Sequence, residues 1–151
     1  MPSAPRPPDV SPEPALGELV MEVARGLRRR FAATLEPWGI TPHESRALRV
    51  IGHHEPTRLG VVAQHLRIAP RSVTDVVDSL EGRGFVAREP DPSDRRATRV
   101  ALTAHGRRVL DELDTARRAD AEGYFADLSD RDRATLTRIL GRLLDDGPSG
   151  G

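Results

Sequence analysis

The stretch that decides the fold runs from Leu59 to Leu102: LGVVAQHLRIAPRSVTDVVDSLEGRGFVAREPDPSDRRATRVAL. Leu59, Val62, Ala63 and Leu66 recur at three- and four-residue spacing, which predicts a short helix with one apolar face. Arg67-Ile68-Ala69 reads as a turn. Pro70, whose ring presets a helical φ and whose missing N–H costs nothing there, opens a second helix. That helix is expected to reach about Arg83, burying Val73, Val76, Val77 and Leu80 and exposing Arg71, Ser72, Thr74, Asp75 and Asp78. Gly84 suits the left-handed position that ends a helix. Residues 85–88 and 98–102 are β-prone, with 90–96 as a polar hairpin between them. Helix, tight turn, helix and two-stranded wing together read as a winged helix-turn-helix.

The flanks are helical. Residues 1–14 hold six of the thirteen prolines and read as a disordered tail. From Ala15 onward, Leu16, Leu19, Val20, Val23, Leu27, Phe31 and Leu35 follow a helical spacing, interrupted by the basic run Arg28-Arg29-Arg30. That run is either a solvated face or a phosphate contact. Pro37 and Gly39 end this helix. Thr41-Pro42-His43-Glu44 starts another as a capping box, with Ala47, Leu48, Val50 and Ile51 as its apolar side. Beyond the wing, Thr103 caps a long helix expected to reach about Leu128, and Ser129 caps a last one striped with Leu136, Ile139, Leu140, Leu143 and Leu144.

The fold expected is mainly α with a small β wing. It is one domain over 15–146, with the winged module at about 41–102, dimerisation helices at about 15–36 and 103–146, and a disordered tail at 147–151. The terminal helices carry more apolar surface than a small wing module can cover. Each fully buried Leu or Val is worth roughly 1.5–3 kcal/mol, so such stripes should not stay wet. Pairing of two chains through Leu19, Val23, Leu136, Ile139, Leu140 and Leu143 resolves this; packing onto the chain's own module is the alternative.

Composition removes other function classes. With no cysteine, there is neither a disulfide frame nor a thiol switch. No run approaches the roughly 18 apolar residues of a membrane helix, and the first residues lack a signal-peptide core, so a cytoplasmic location is expected. His53-His54-Glu55 is a local cluster, but adjacent histidines point apart and no metal-ligand spacing accompanies them; neither metal nor cofactor is expected. No phosphate loop or nucleophile motif suggests an enzyme. The net charge is zero but unevenly spread. From Arg58 to Arg108 ten Arg face six Asp plus Glu, and from Val109 to the end six Arg face ten acids. The positive excess sits on the wing module, where a phosphate backbone would lie.

A recognition helix enters the major groove with its N-terminal residues at base edges. Arg71 can donate to a guanine edge in bidentate fashion, Ser72 and Thr74 can bond bases or phosphates, and Asp75 can accept from a cytosine amine. Ser72 and Thr74 also read as solvated positions, and Asp75 as the partner of a neighbouring arginine. The hairpin tip places Arg95 and Arg96 where guanidinium groups can enter a narrow minor groove. Asp94 beside them makes sense if it holds one arginine's fork by a bidentate bond. The rival reading is a winged-helix module that binds another protein without specific DNA contact. Exposed Arg95 and Arg96 have little purpose in a hydrophobic interface, which favours double-stranded DNA.

These motifs resemble the MarR family of winged-helix transcriptional regulators. Leu80-Glu81-Gly82-Arg83-Gly84 matches its Leu-Glu-x-x-Gly, Asp94-Arg95-Arg96 its wing Asp-x-Arg, and Leu102-Thr103-Ala104-His105-Gly106 its Leu-Thr-x-x-Gly. The resemblance implies a homodimer paired through the first and last two helices, a two-fold symmetric (pseudo-palindromic) operator, and repression often relieved by a small ligand. It makes Arg96 the minor-groove arginine and Asp94 its orienting partner. Ala69 departs from the pattern, where a capping residue is common. Ligand-sensing members bind small, often aromatic, anions between the arms and the DNA-binding lobes. Trp38, His43, Arg46 and His54 lie in segments able to line such a site, or serve in packing and capping.

Overall fold

The structure, a computed structural model, describes residues 13–145. Most of both terminal tails therefore lies outside the described residues. Six helices and three strands follow in the order α1 (Leu16–Thr34), α2 (Pro42–His54), β1 (Thr57–Arg58), α3 (Leu59–Leu66), α4 (Pro70–Gly82), β2 (Val86–Asp91), β3 (Asp94–Leu102), α5 (Ala104–Tyr124) and α6 (Asp130–Asp145). A 3-10 turn, Glu36–Trp38, joins α1 to α2. The strands form one antiparallel sheet in the order β1-β3-β2. The result is mainly helical with a three-stranded wing.

The core lies among α2, α3, α4, the sheet and the start of α5. Leu48, Ile51, Val62, Val77, Leu80, Val100 and Leu113 are fully buried there. Each comes from the apolar face its periodicity marks, because only that face can turn inward without stranding a polar group. Thr41 caps α2 as expected: its hydroxyl accepts from the Glu44 N–H at 3.1 Å, and Glu44 Oε2 accepts from the Thr41 N–H at 2.8 Å. Ala69 leaves α4 without a side-chain cap.

Two glycines join α4 to α5. Gly84 stands at φ +74°, where L side chains are strained. It lets the chain leave α4 with the Phe85 N–H on the Leu80 carbonyl at 3.0 Å. Thr103 then docks onto this turn, its hydroxyl donating to the Gly84 carbonyl at 2.6 Å while accepting from the Gly106 N–H at 2.9 Å. A Cβ on Gly106 would fall 1.8 Å from the Phe85 carbonyl oxygen. The two glycine motifs are thus the two halves of one joint.

The structure corrects several boundaries. The wing strands are longer than expected, because the turn is only Pro92-Ser93: Pro90 pairs with Thr98 and Asp91 with Asp94, and the register shift between them leaves residues 95–97 of β3 without cross-strand partners. Strand β1 pairs Thr57 with Val100 and Arg58 with Arg99; two residues carry no alternation that could announce it. Helix α5 ends at Tyr124 rather than near Leu128, where Arg133 of α6 donates to the Phe125 carbonyl at 2.9 Å and holds Glu122 at 2.7 Å.

Helices α1 and α6 bury none of their side chains. Leu19, Val23, Leu136, Ile139, Leu140 and Leu143 are 36–62% exposed in the single chain. Packing onto the chain's own module therefore does not cover these stripes. Of these, Leu19, Val23, Leu136 and Leu140 line, with Tyr124 and Phe125, an apolar groove of about 610 Å³ between α1 and the α5–α6 end.

Candidate nucleic-acid interface

Helix α4 presents Arg71, Ser72, Thr74 and Asp75 to solvent at its N-terminal end. The Thr74 hydroxyl donates back to the Pro70 carbonyl at 3.3 Å, as a threonine one turn into a helix often does. The far end of α4 is tied to the wing. Arg88 of β2 binds Asp78 at 2.5 Å and also Glu81. Asp78 is therefore engaged within the protein, whereas Asp75 makes no ion pair among the described residues.

The wing tip is a turn whose chemistry is written in Asp91-Pro92-Ser93-Asp94. Proline presets the φ of the second position, and Asp91 folds over the turn to accept from Ser93, from its N–H at 2.9 Å and its hydroxyl at 2.7 Å. The other oxygen of Asp91 accepts from Arg58 Nε at 2.7 Å. Arg58 occupies the N-cap position of α3, so the start of the helix-turn-helix is fastened to the wing tip. Asp91 is 5% exposed. The Ser93 donors, then the Arg58 guanidinium, hold its carboxyl well below the usual range.

Asp94 is not placed as expected. Its Oδ1 accepts from the backbone N–H of Arg96 at 3.0 Å, and neither arginine fork reaches it. The short side chain turns onto its own strand, an Asx-type bond that outcompetes a bidentate contact two residues away. Arg95 and Arg96 are exposed.

Charge pairing separates the ten arginines from Arg58 to Arg108 into two sets. Arg58, Arg83, Arg88, Arg99 and Arg107 each face a carboxylate. Among the described residues, Arg67, Arg71, Arg95, Arg96 and Arg108 have none. Arg71 lies at the start of α4 and Arg95 and Arg96 at the wing tip. Arg67, in the turn between α3 and α4, escaped the sequence reading; it holds a left-handed φ of 55°, which its position after the last periodic leucine could have flagged.

Of the four residues considered for a ligand site, three have partners within the chain and one is exposed. Trp38 Nε1–H donates to Glu112 at 3.0 Å, Arg46 to the His65 carbonyl at 3.2 Å, His54 stacks on His65 at 4.2 Å, and His43 is exposed on the first turn of α2. A groove of about 360 Å³ lies instead between α1 and α5, lined by Leu27, Arg28, Phe31, Arg117, Arg118, Asp120 and Ala121. Arg30 binds Asp120 at 3.0 Å, which leaves the other three guanidinium groups without a carboxylate among the described residues. Arg117 lies over the Phe31 ring at 6.0 Å. The described residues hold no group of three or more candidate metal ligands, and no described helix is long and apolar enough to cross a membrane.

Comparison with known proteins agrees with this geometry. The model of the MarR family matches residues 40–98. A Thauera aromatica protein named "Putative transcriptional regulatory protein for hcr operon" is 31% identical over 131 residues, covering 84% of this chain and 79% of that one. The HTH-type transcriptional repressor MdtR of Bacillus subtilis is 26% identical over 110 residues, 73% of this chain and 71% of that one. The crystal structure of the Mycobacterium tuberculosis MarR family protein Rv2887 with p-aminosalicylic acid matches with a TM-score of 0.70 at 28% identity, over 86% of this chain and 98% of that one. The chain whose helix-turn-helix, wing and glycine joint are described above belongs to the MarR family of transcriptional regulators.

Proposed function

We propose that the protein is a homodimeric, cytoplasmic repressor that reads a two-fold symmetric DNA operator and releases it on binding a small aromatic anion. The observation that carries the DNA-reading part is the division of the arginines. Guanidinium groups that tie the module together are paired with carboxylates, and of the five left without one among the described residues, Arg71 stands at the start of α4, Arg95 and Arg96 at the wing tip, Arg67 in the turn before α4 and Arg108 on α5. Arg71 and Asp75 contact base edges, Ser72 and Thr74 bases or phosphates, and Arg95 and Arg96 the adjacent minor groove. Asp94 orients Arg96 through its main chain. Repression follows MdtR, which is named a repressor.

Dimerisation is supported by the wet apolar stripes of α1 and α6. The ligand is supported by the groove between α1 and α5. Arg28, Arg117 and Arg118 supply charge there and Phe31 a ring face, and the Rv2887 structure carries p-aminosalicylic acid. The experiment is selection from a random duplex library with the full chain, followed by titration with p-aminosalicylate. An enriched, two-fold symmetric site with half-sites about 10 base pairs apart, or a multiple of that, is expected. No enrichment, or a site without symmetry, would contradict the DNA-reading dimer. An operator complex indifferent to the ligand would remove p-aminosalicylate while leaving DNA reading intact.

A further inference from the structure

Arg83 sits at the end of α4 opposite to Arg71, and its guanidinium turns away from the groove-facing surface. Nη1 donates to the Gly39 carbonyl at 2.7 Å and Nη2 to the carbonyl of Trp38. Glu44 lies 3.8 Å away, and the Phe85 ring centroid 5.1 Å from the guanidinium carbon. Gly39 has a φ of +59°, and a Cβ there would come 3.2 Å from Arg83 Nη2. Glycine therefore both permits the turn and leaves room for the arginine. Ser79, one turn earlier on α4, donates its hydroxyl to Glu44 at 2.6 Å. The recognition helix is thus clasped to the turn between α1 and α2.

The same turn is held from its other side. Trp38 Nε1–H donates to Glu112 Oε2 of α5 at 3.0 Å. One residue is therefore bound through its main chain to the recognition helix and through its indole to the long helix that packs on α1. A planar guanidinium on two successive carbonyls fixes direction as well as distance, which a single ammonium does not. We propose that Arg83 is a positioning residue for DNA recognition. Through the Trp38–Gly39 turn it sets the angle of α4 to the α1/α5 arm, and so the separation at which the two recognition helices of a dimer meet their half-sites. This rests on the dimeric, DNA-reading function proposed above.

The test uses the wild type, Arg83→Ala, Arg83→Lys and Glu112→Ala, each titrated against the selected operator, the operator with one base pair inserted between half-sites, and scrambled DNA. A residue that fixes angle should make the wild type intolerant of the insertion. Arg83→Ala is expected to bind the operator about tenfold more weakly, with most of the insertion penalty gone, unchanged dimer mass and little change on scrambled DNA. Arg83→Lys should fall between. Glu112→Ala, at an exposed position, should soften the penalty in the same direction and shift the emission of Trp38, the only tryptophan, to the red. It carries the comparison if Arg83→Ala does not fold. An insertion penalty unchanged in Glu112→Ala and in the folded Arg83 variants would overturn the proposal. So would an equal loss on operator and scrambled DNA with a weaker salt dependence, the mark of a phosphate contact. A wild type without any operator preference would instead overturn the function on which the proposal rests.

Discussion

At the scale of residues, small and charged side chains do different work. Gly106 is present because α5 approaches the Phe85 backbone too closely for a methyl group. Gly106→Ala should cost at least about 1–3 kcal/mol of stability by overpacking a joint whose near atom is main chain. Equilibrium denaturation would show it, and an unchanged midpoint would mean that α5 can shift freely. Arg96 makes no ion pair among the described residues, so Arg96→Ala should leave the fold and dimer intact while weakening operator binding by about 1–3 kcal/mol. Unchanged affinity in a direct titration would take the wing out of recognition. Glu44 and Asp91 give the acid response. Partial burial pushes the Glu44 carboxyl up, but bonds from Ser79 and Thr41 and the Arg83 charge outweigh it, so it lies below its ordinary 4.5. Asp91 is also held low, from an ordinary 3.8. Carboxyls depressed on folding contribute stability that is whole above the unfolded value and lost as pH falls toward the folded one. Thermal stability should therefore hold from neutrality to about pH 5 and decline below it. Glu44→Gln and Asp91→Asn should each flatten that decline; parallel curves for wild type and variants would contradict it.

At the scale of elements, what the sequence revealed was what depends on neighbours in the chain. The capping box of α2, Pro70 at the start of α4 and Gly84 at its end are written in three or four consecutive residues, and each stands where its chemistry demands. The wing was only half legible. Apart from the buried Asp91, its outer residues are mostly polar and turned to solvent, so alternation faded before the strands ended. Arg58 and Asp91 are 33 positions apart, and nothing in either neighbourhood announces that they meet. Asp94 was identifiable as a wing residue, but which donor it would take depended on the competition between its own backbone and a flexible guanidinium. The Trp38 environment likewise follows from tertiary packing: α5 supplies its acceptor from 74 positions away.

At the scale of the whole molecule, the chain separates a buried winged module from arms that expose their apolar stripes. Leu140 is 40% exposed on α6 and lines the groove beside α1. Leu140→Asp should leave the winged module folded while abolishing the dimer and, with it, tight operator binding, since each half-site alone contributes only part of the affinity. Sedimentation would decide this, and a stable variant dimer would put the interface elsewhere. Whether the unpaired arginines of α4 and the wing read DNA is decided by a titration of the protein on the DNA upstream of its own gene, against a scrambled duplex, at two salt concentrations. Specific binding far above the scrambled control is expected, with affinity falling steeply as salt rises because guanidinium–phosphate contacts release counterions. Equally weak binding to both duplexes, carried over to operators selected from a random library, would contradict DNA reading by these arginines.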